Sequence, residues 1–475
     1  MVTITRGDNV FLLQPAPPGL ESQLRYHRRK VIPEVFPRRF EYIKRLLYSP
    51  LKDNSGVVIY DGLFSRTSDW LHNNGHRVDV VDHRSPLPDA DLSRVQGPMR
   101  PGQPEAFASI VSSRRGLING VTGFGKTWVI CQLTRVYADT KILVVSPEKG
   151  TTDEMYDRIV EANPEAKVSL CYSGKRYLPE SDVIVVTVGS LHRIDPEWPG
   201  LFLFDEVHTA GQGRLEEILP LFQSCRMFGF SATPRGRSDG SDRMVEAFFG
   251  KDIFVKNYED AESEGSVSPI DVFMVKVKAP EFVPKSDFGR DRYGYWRHQI
   301  RNEVIAQIAR HHAADPMLII CKSVEHIMYL RMLLPDYYPV HSGISAARWE
   351  ELVKMNVVRA EDYEALGVVD VAHMKECFKS GGVTKIMATG IWKQAVDFPH
   401  LAHMIRADGQ TNIIPSLQMG GRLSRPTEGT PRSRLYDLRD DYGEVFMRRS
   451  TTRASHYINN GWTVRDIDIT EIDSL

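Results

Sequence analysis

Short apolar runs, rich in β-branched residues, recur along the chain, and each closes on a small or polar residue. A first set reads Lys141–Ser146, Val183–Thr187, Leu201–Asp205 and Met227–Ser231, and a second reads Met317–Cys321, Lys385–Thr389 and His403–Ala407. Longer amphipathic stretches separate them. Continuous apolar strands alternating with helical periodicity predict parallel sheets covered by helices on both faces. Two sets predict two α/β domains, placed at 96–277 and 278–475, with the polar, proline-bearing stretch Lys278–Tyr295 as a linker. The first 95 residues differ. A basic, helical-looking segment, Arg25–Arg45, precedes the runs Val57–Tyr60 and Val78–Val81 and the prolines Pro86, Pro88 and Pro98, which predicts a small separate α+β domain over 1–95.

Composition adds limits rather than a function. The chain has 475 residues, enough for about three domains. Sixty Lys+Arg stand against 61 Asp+Glu, a net charge of -1, so no global basic field points to nucleic acid. Hydrophobic content of 42% and charged content of 25% fit a globular protein and exclude wholesale disorder. No apolar run reaches 18 residues, so no membrane partner is expected, and the N-terminus lacks the pattern of a secretory signal. The five cysteines, Cys131, Cys171, Cys225, Cys321 and Cys377, are scattered and never in CxxC, as expected of free thiols in the cytoplasm.

Chemistry enters at Gly120-Val-Thr-Gly-Phe-Gly-Lys126-Thr127, which fits GxxxxGK[ST] between a strand pattern, Gly116–Asn119, and a helical one, Trp128–Leu133. Glycines let successive backbone N–H groups turn inward on phosphates, and the helix N-terminus adds its positive dipole end. The expected ATP-binding residues are therefore Gly120, Val121, Thr122, Gly123, Phe124, Gly125, Lys126 and Thr127. Lys126 would reach the β- and γ-phosphates and Thr127 would ligate Mg²⁺. Asp205 and Glu206 follow at the end of a predicted strand, 79 residues after Lys126. Strand C-termini are where parallel sheets bind ligands. Asp205 is placed to hold Mg²⁺ and Glu206 to activate the attacking water.

With these two half-sites in view, residues 98–440 resemble DExH-type helicases of superfamily 2, motif by motif and in order. Arg100-Pro-Gly-Gln103 resembles the adenine-recognition element, with Gln103 reading the base. Ser146–Gly150 and Thr187–Leu191 resemble strand-contact motifs, and Ser231-Ala232-Thr233 resembles the motif that couples hydrolysis to movement. Cys321-Lys-Ser323, His341-Ser-Gly343 and Thr389 fall where family members touch the nucleic-acid backbone. Ala395-Val-Asp397-Phe398 resembles the fifth motif, with Asp397 at the nucleotide, and Gln418–Arg425 matches QxxGRxxR. Ala395 departs from the usual glycine, which bears on backbone freedom. Within the superfamily, Trp392–Leu401, Ile405–Gly409 and Gln418–Arg425 look like phage UvsW-type branch-migration helicases, which also carry a small N-terminal substrate domain.

The resemblance implies two RecA-like domains in tandem, ATP and Mg²⁺ as cofactors, and ATP-driven remodelling of branched DNA in recombination, repair and replication. It further implies a monomer in a host-cell cytoplasm. Arg422 and Arg425 would stabilise the transferring phosphoryl group, with Gln418 and His208 bridging the sites. Thr187, Ser190, Ser323 and Thr389 would contact phosphate and sugar, because a translocating motor cannot depend on sequence. The segment Arg25–Arg45 carries eight Lys/Arg with interleaved aromatics, so Arg28, Arg29, Arg38 and Arg39 are candidates for a duplex or junction grip. An amphipathic helix with a solvated basic face is the plainer reading, and Arg448, Arg449 and Arg453 form a second basic group. Trp392 is a base-stacking or a core residue. Duplex translocation without strand separation, an RNA-stimulated helicase, and a clamp with a degenerate pocket remain open alternatives.

Overall fold

A computed structural model of the protein describes residues 1–31, 40–211, 215–222, 224–234, 240–390, 401–411 and 433–474, with the backbone alone at 28–31, 40 and 211. Two units are distinguished, Met1–Asn257 and Tyr258–Leu475. In the first, β1 (Val2–Arg6), β2 (Val10–Gln14), β5 (Tyr48–Pro50), β6 (Val57–Tyr60) and β7 (Val78–Asp82) form a mixed sheet in the order β5-β6-β2-β1-β7. A separate two-stranded sheet pairs β3 (Arg25–Val31) with β4 (Phe40–Leu46). The remaining strands of this unit are β8 (Arg115–Gly120), β9 (Ile142–Ser146), β10 (Val168–Cys171), β11 (Val183–Thr187), β12 (Leu201–Asp205), β13 (Arg226–Ser231) and β14 (Asp252–Lys256). They form one sheet in the order β10-β11-β9-β12-β13-β8-β14, with every pairing parallel. Its middle strands are buried at nearly every position, which is why they read as unbroken apolar runs.

The second unit repeats the plan. Its strands are β15 (Ile270–Val277), β16 (Met317–Ile320), β17 (Tyr338–Val340), β18 (Lys385–Ala388), β19 (His403–Arg406), β20 (Ser433–Asp440) and β21 (Thr463–Ile467). The order is β17-β18-β16-β19-β20-β15-β21, again all parallel. The two α/β domains and the small N-terminal sheet follow the expected fold class.

Several boundaries and elements differ from expectation. The second unit starts at Tyr258, and β15 pairs with β20 and β21, so residues 258–277 belong to the second domain and not the first. The stretch taken as a linker packs into that domain: Tyr295 is fully buried and Trp296 nearly so. Where a helix was expected over Arg25–Arg45, the described residues form two antiparallel strands, β3 and β4. Pro33 and Pro37 lack backbone N–H groups and oppose a continuous helix, while Val31, Phe40, Tyr42 and Ile43 favour a pleated ribbon. The N-terminal sheet is also less separate than expected, because Ile4, Phe11, Leu13 and Ile59 share one core with Leu143 and Phe202 of the seven-stranded sheet and Phe249 of the helix Asp242–Phe249. Gly62 makes this contact possible: a Cβ there would lie 2.3 Å from the Glu246 carbonyl oxygen. Arg66 clamps the same helix through two bonds to the Glu246 carboxylate, at 2.8 and 2.7 Å.

Arg453 is corrected as well. It is fully buried and bonded to Asp437 at 2.8 Å and Asp440 at 3.3 Å, beside the buried Arg301–Asp440 pair at 2.9 Å. It belongs to the interior of the second unit and is no part of a basic surface. The same interior holds His298, pushed down to about 4 by burial and the Arg301 charge, and His326, driven well below its ordinary value for the same reasons. Both stay neutral in the folded chain, whereas the unfolded chain protonates them near pH 6.5. Their stability contribution is therefore complete above about pH 6.5 and is lost as pH falls towards 4. Urea midpoints of the second unit should drop steadily from pH 7 to 5 as both histidines come to favour the protonated, unfolded form. A flat profile across that window would contradict these neutral burials.

Candidate functional site

The phosphate loop leaves β8 at Gly120 and feeds the helix Lys126–Val136. Gly123 (φ 95°) and Gly125 (φ 91°) take left-handed backbone angles, and Gly125 caps the helix without a side-chain bond. The first-turn N–H groups are thus not claimed by a capping side chain. A Cβ at Gly125 would sit 2.7 Å from Gln103 Nε2, so glycine is required there on two counts. Lys126 lies back over the loop, donating from Nζ to the Gly120 and Val121 carbonyls at 2.7 and 3.2 Å. Gln103 is buried against the loop. Its Nε2 donates to Phe124 O at 3.0 Å, its Oε1 accepts from Arg100 N at 2.8 Å, and Arg100 itself donates to Gly123 O at 3.1 Å. The element expected to read adenine is therefore also wired to the phosphate loop.

Asp205 ends β12, two strands from β8 across β13, and Ser231 ends β13 opposite Asn119. Loop, carboxylates and Ser231 thus meet at the C-terminal edge of one sheet. Burial pushes the Asp205 carboxyl up to about 7, helped by the Glu206 charge and opposed by Lys126. The Asp205 and Glu206 carboxylates are hard oxygen donors of the kind that suit Mg²⁺. Glu206 has φ 51°, the only residue besides asparagine and glycine with positive φ among the described residues. Strain of this kind persists where surrounding structure over-determines it, and it concentrates at functional sites.

Here the over-determination is visible. The Glu206 Oε2 oxygen lies 3.2 Å from His208 Nδ1 and 3.5 Å from the Ser231 hydroxyl, His208 Nδ1 is 3.2 Å from Ser231 Oγ, and Thr233 N donates to that Oγ at 3.1 Å. Thr209 Oγ1 adds a bond to Glu206 O at 3.0 Å. His208 and Ser231 are buried. A single hydrogen-bonded chain therefore joins Glu206 to the Ser231-Ala232-Thr233 segment.

The expected strand-contact residues occupy C-terminal edges. Thr187 closes β11 opposite Ser146, whereas Ser190 is only 7% exposed in the turn that follows. In the second unit, Ser323 follows β16 and accepts from His326 N as a helix cap, and Thr389 follows β18 with its N–H on Val340 O. His341 is buried, bonded to Leu366 O and Gly343 N. Asp397, Gln418, Arg422 and Arg425 lie outside the described residues, as do Ala395, Trp392, Arg38, Arg39 and the side chains of Arg28 and Arg29.

Beside Ser323 lies a basic group of which the sequence singled out only Arg449. Arg292, Arg297 and Arg348 converge on Glu325, the first two at 2.9 and 2.6 Å, while Lys322 and Arg449 share Asp291. Burial raises the Glu325 carboxyl, but the bonds from Arg292 and Arg297 outweigh it and hold it below its ordinary value. Five cations face three anions in this patch, Glu325, Asp291 and the Glu351 that also pairs with Arg348, a surplus suited to phosphates. Its members come from positions 291–449, so no local run of charge announced it.

The family model of the type III restriction enzyme res subunit matches residues 96–236, the stretch that carries the phosphate loop, the Asp205-Glu206 pair and Ser231–Thr233. A DNA 3'-5' helicase XPB from Kineococcus radiotolerans is 22% identical over 409 residues, covering 81% of this chain and 67% of the relative. The chain thus spans about two thirds of that relative's length. Among solved structures, S. cerevisiae Dbp5 bound to RNA and ADP BeF3 has a TM-score of 0.54 at 12% identity, over 80% of this chain and 93% of that one. T4 UvsW aligns over 98% of this chain and 99% of its own, at 16% identity and a TM-score of 0.44, too low to carry weight. No helix among the described residues is long and apolar enough to cross a membrane.

Proposed function

As the chain is an ATP-dependent helicase of superfamily 2, we propose that it is a DNA motor that remodels branched substrates such as forks, four-way junctions and R-loops. The observation that carries the motor reading is the chain from Glu206 through His208 and Ser231 to Thr233. It gives a group placed at the reacting water a mechanical route to the rest of the first unit. ATP would lie in the loop Gly120–Thr127, with Lys126 drawn from its carbonyls onto the β- and γ-phosphates. Thr127 and Asp205 would hold Mg²⁺, which supplies charge neutralisation on the phosphates. Glu206 would take the proton of the attacking water, and Arg422 and Arg425 would stabilise the transferring phosphoryl group. Thr187, Ser323 and Thr389, with Arg292, Arg297 and Arg348, would hold the strand backbone.

If the hydrogen-bonded chain transmits the hydrolysis step, Ser231→Ala should keep ATP hydrolysis within several-fold of the wild type while strand separation per ATP falls at least tenfold. Equal losses in both would assign Ser231 to chemistry alone.

The branched-DNA reading is supported by the strand pair β3–β4, which presents Tyr42, 64% exposed, and Lys44 to solvent. Tyr26 and Arg45 anchor its base through Glu216, at 2.8 and 2.9 Å. The test compares unwinding of blunt duplex, forks, four-way junctions and RNA duplex. Forks and junctions should be preferred. Replacing Arg28, Arg29, Arg38 and Arg39 together by Ala should weaken junction binding and its salt dependence while leaving basal ATP hydrolysis intact. Better unwinding of RNA duplex would replace the DNA assignment with the RNA one.

A further inference from the structure

At the opposite end of the second sheet from Ser323 and Thr389, two strands begin side by side, β16 at Met317 and β19 at His403, in register. The turn entering β16 follows the helix Gln299–His311 and carries His312 and Asp315. Three donors from these separate elements converge. His403 Nε2 is 3.1 Å and His312 Nδ1 3.6 Å from the same Asp315 oxygen, and all three ligating atoms lie within 4.8 Å of one another. The two imidazoles stack with centroids 3.9 Å apart. Both rings are buried, at 5% and 8% exposure, while Asp315 is half-exposed and opens the cluster to solvent.

We propose that His312, Asp315 and His403 form a site for one zinc-class divalent cation, with solvent completing its coordination. Two imidazoles and one carboxylate suit zinc, cobalt or nickel better than magnesium, which prefers oxygen donors. The spacing His312-x-x-Asp315 with a distant His403 places two ligands in one turn and the third on a neighbouring strand, so a bound ion would staple turn to sheet. A tetrahedral zinc needs ligand atoms about 3.3 Å apart. Binding would require the ring stack to open and the three ligand atoms, now within 4.8 Å of one another, to contract around the ion. The surrounding residues already fit that role: His312 Nε2 meets the Tyr436 hydroxyl at 2.7 Å, which fixes the ring and leaves Nδ1 facing the site. Arg434 on β20 pairs in register with His403, and its charge bears on both imidazoles. His311 stacks edge-on against His312 and bonds Asp473 at 3.1 Å. No step of ATP hydrolysis proposed above uses these residues, so the site stands apart from that reading.

The test uses the full chain without a histidine tag, stripped by chelator and titrated with Co²⁺ and then Zn²⁺ in excess Mg²⁺. One Co²⁺ per chain should bind with visible absorption bands, Zn²⁺ should displace it, and the unfolding temperature should rise with Zn²⁺ concentration. Asp315→Asn and His403→Gln should each weaken Zn²⁺ binding at least tenfold while ATP hydrolysis in Mg²⁺ is retained. Asp315 is half-exposed, so its variant keeps the test decisive even if His403→Gln folds poorly. No saturable binding below about millimolar Zn²⁺, or binding that Asp315→Asn leaves unchanged, would overturn the proposal and leave a hydrogen-bonded triad.

Discussion

Glu206→Gln should lower ATP hydrolysis about 10²–10⁴-fold while ATP binding survives nearly intact. Gln keeps the size of the side chain and can still accept from the Ser231 hydroxyl, so the contact at 3.5 Å need not be lost. What disappears is a carboxylate able to take a proton from water. The positive φ at Glu206 and its neighbours His208, Ser231 and Thr209 fix that carboxylate in place. The loss should therefore appear in kcat, with little change in the KM for ATP. Nucleotide binding and single-turnover hydrolysis separate the two. A variant hydrolysing ATP within threefold of the wild type would remove Glu206 from the base role.

Arg422→Ala or Arg425→Ala should be at least as severe, with about 10³–10⁵-fold lost from nucleic-acid-stimulated hydrolysis, or about 4–7 kcal/mol of transition-state stabilisation. Both residues lie outside the described part of the structure, and the expectation rests on the match of Gln418–Arg425 to QxxGRxxR. Arginine is the fitting residue because its fork grips phosphate oxygens bidentately and stays charged. Lysine at either position should recover little, since a point charge does not reproduce that geometry. Binding of ATP to the first unit should persist, because Lys126, Thr127 and Asp205 supply that half-site. A loss confined to ATP affinity would place these arginines in ground-state binding.

The motor sheets were legible in the sequence because their strands are buried on both faces and leave no polar interruption, as at Ile142–Ser146 and Met317–Ile320. The glycine-rich loop Gly120–Thr127 and the Asp205-Glu206 pair stood out in the sequence because a few consecutive residues carry each motif. The strand pair β3–β4 was misread because the interleaved basic and aromatic residues of Arg25–Arg45 suit either period, and Pro33 and Pro37 were the stronger signal. The domain boundary was misplaced because Ile270–Val277 is apolar in the same way as the strands before it, and only its pairing with β20 and β21 assigns it to the second sheet. Arg453 looked like its neighbours Arg448 and Arg449 because a linear reading cannot register buried partners as distant as Asp437 and Asp440. The arginines around Glu325 were invisible for the converse reason, being brought together only by folding.

The central claim is that ATP hydrolysis at this site is tied to movement on nucleic acid. Its most direct test is the steady-state ATP hydrolysis rate with and without single-stranded and branched DNA, with Lys126→Ala as the inactive control. Hydrolysis by the wild type should rise at least tenfold with nucleic acid and vanish in the control. A wild-type rate that nucleic acid leaves unchanged would contradict the account.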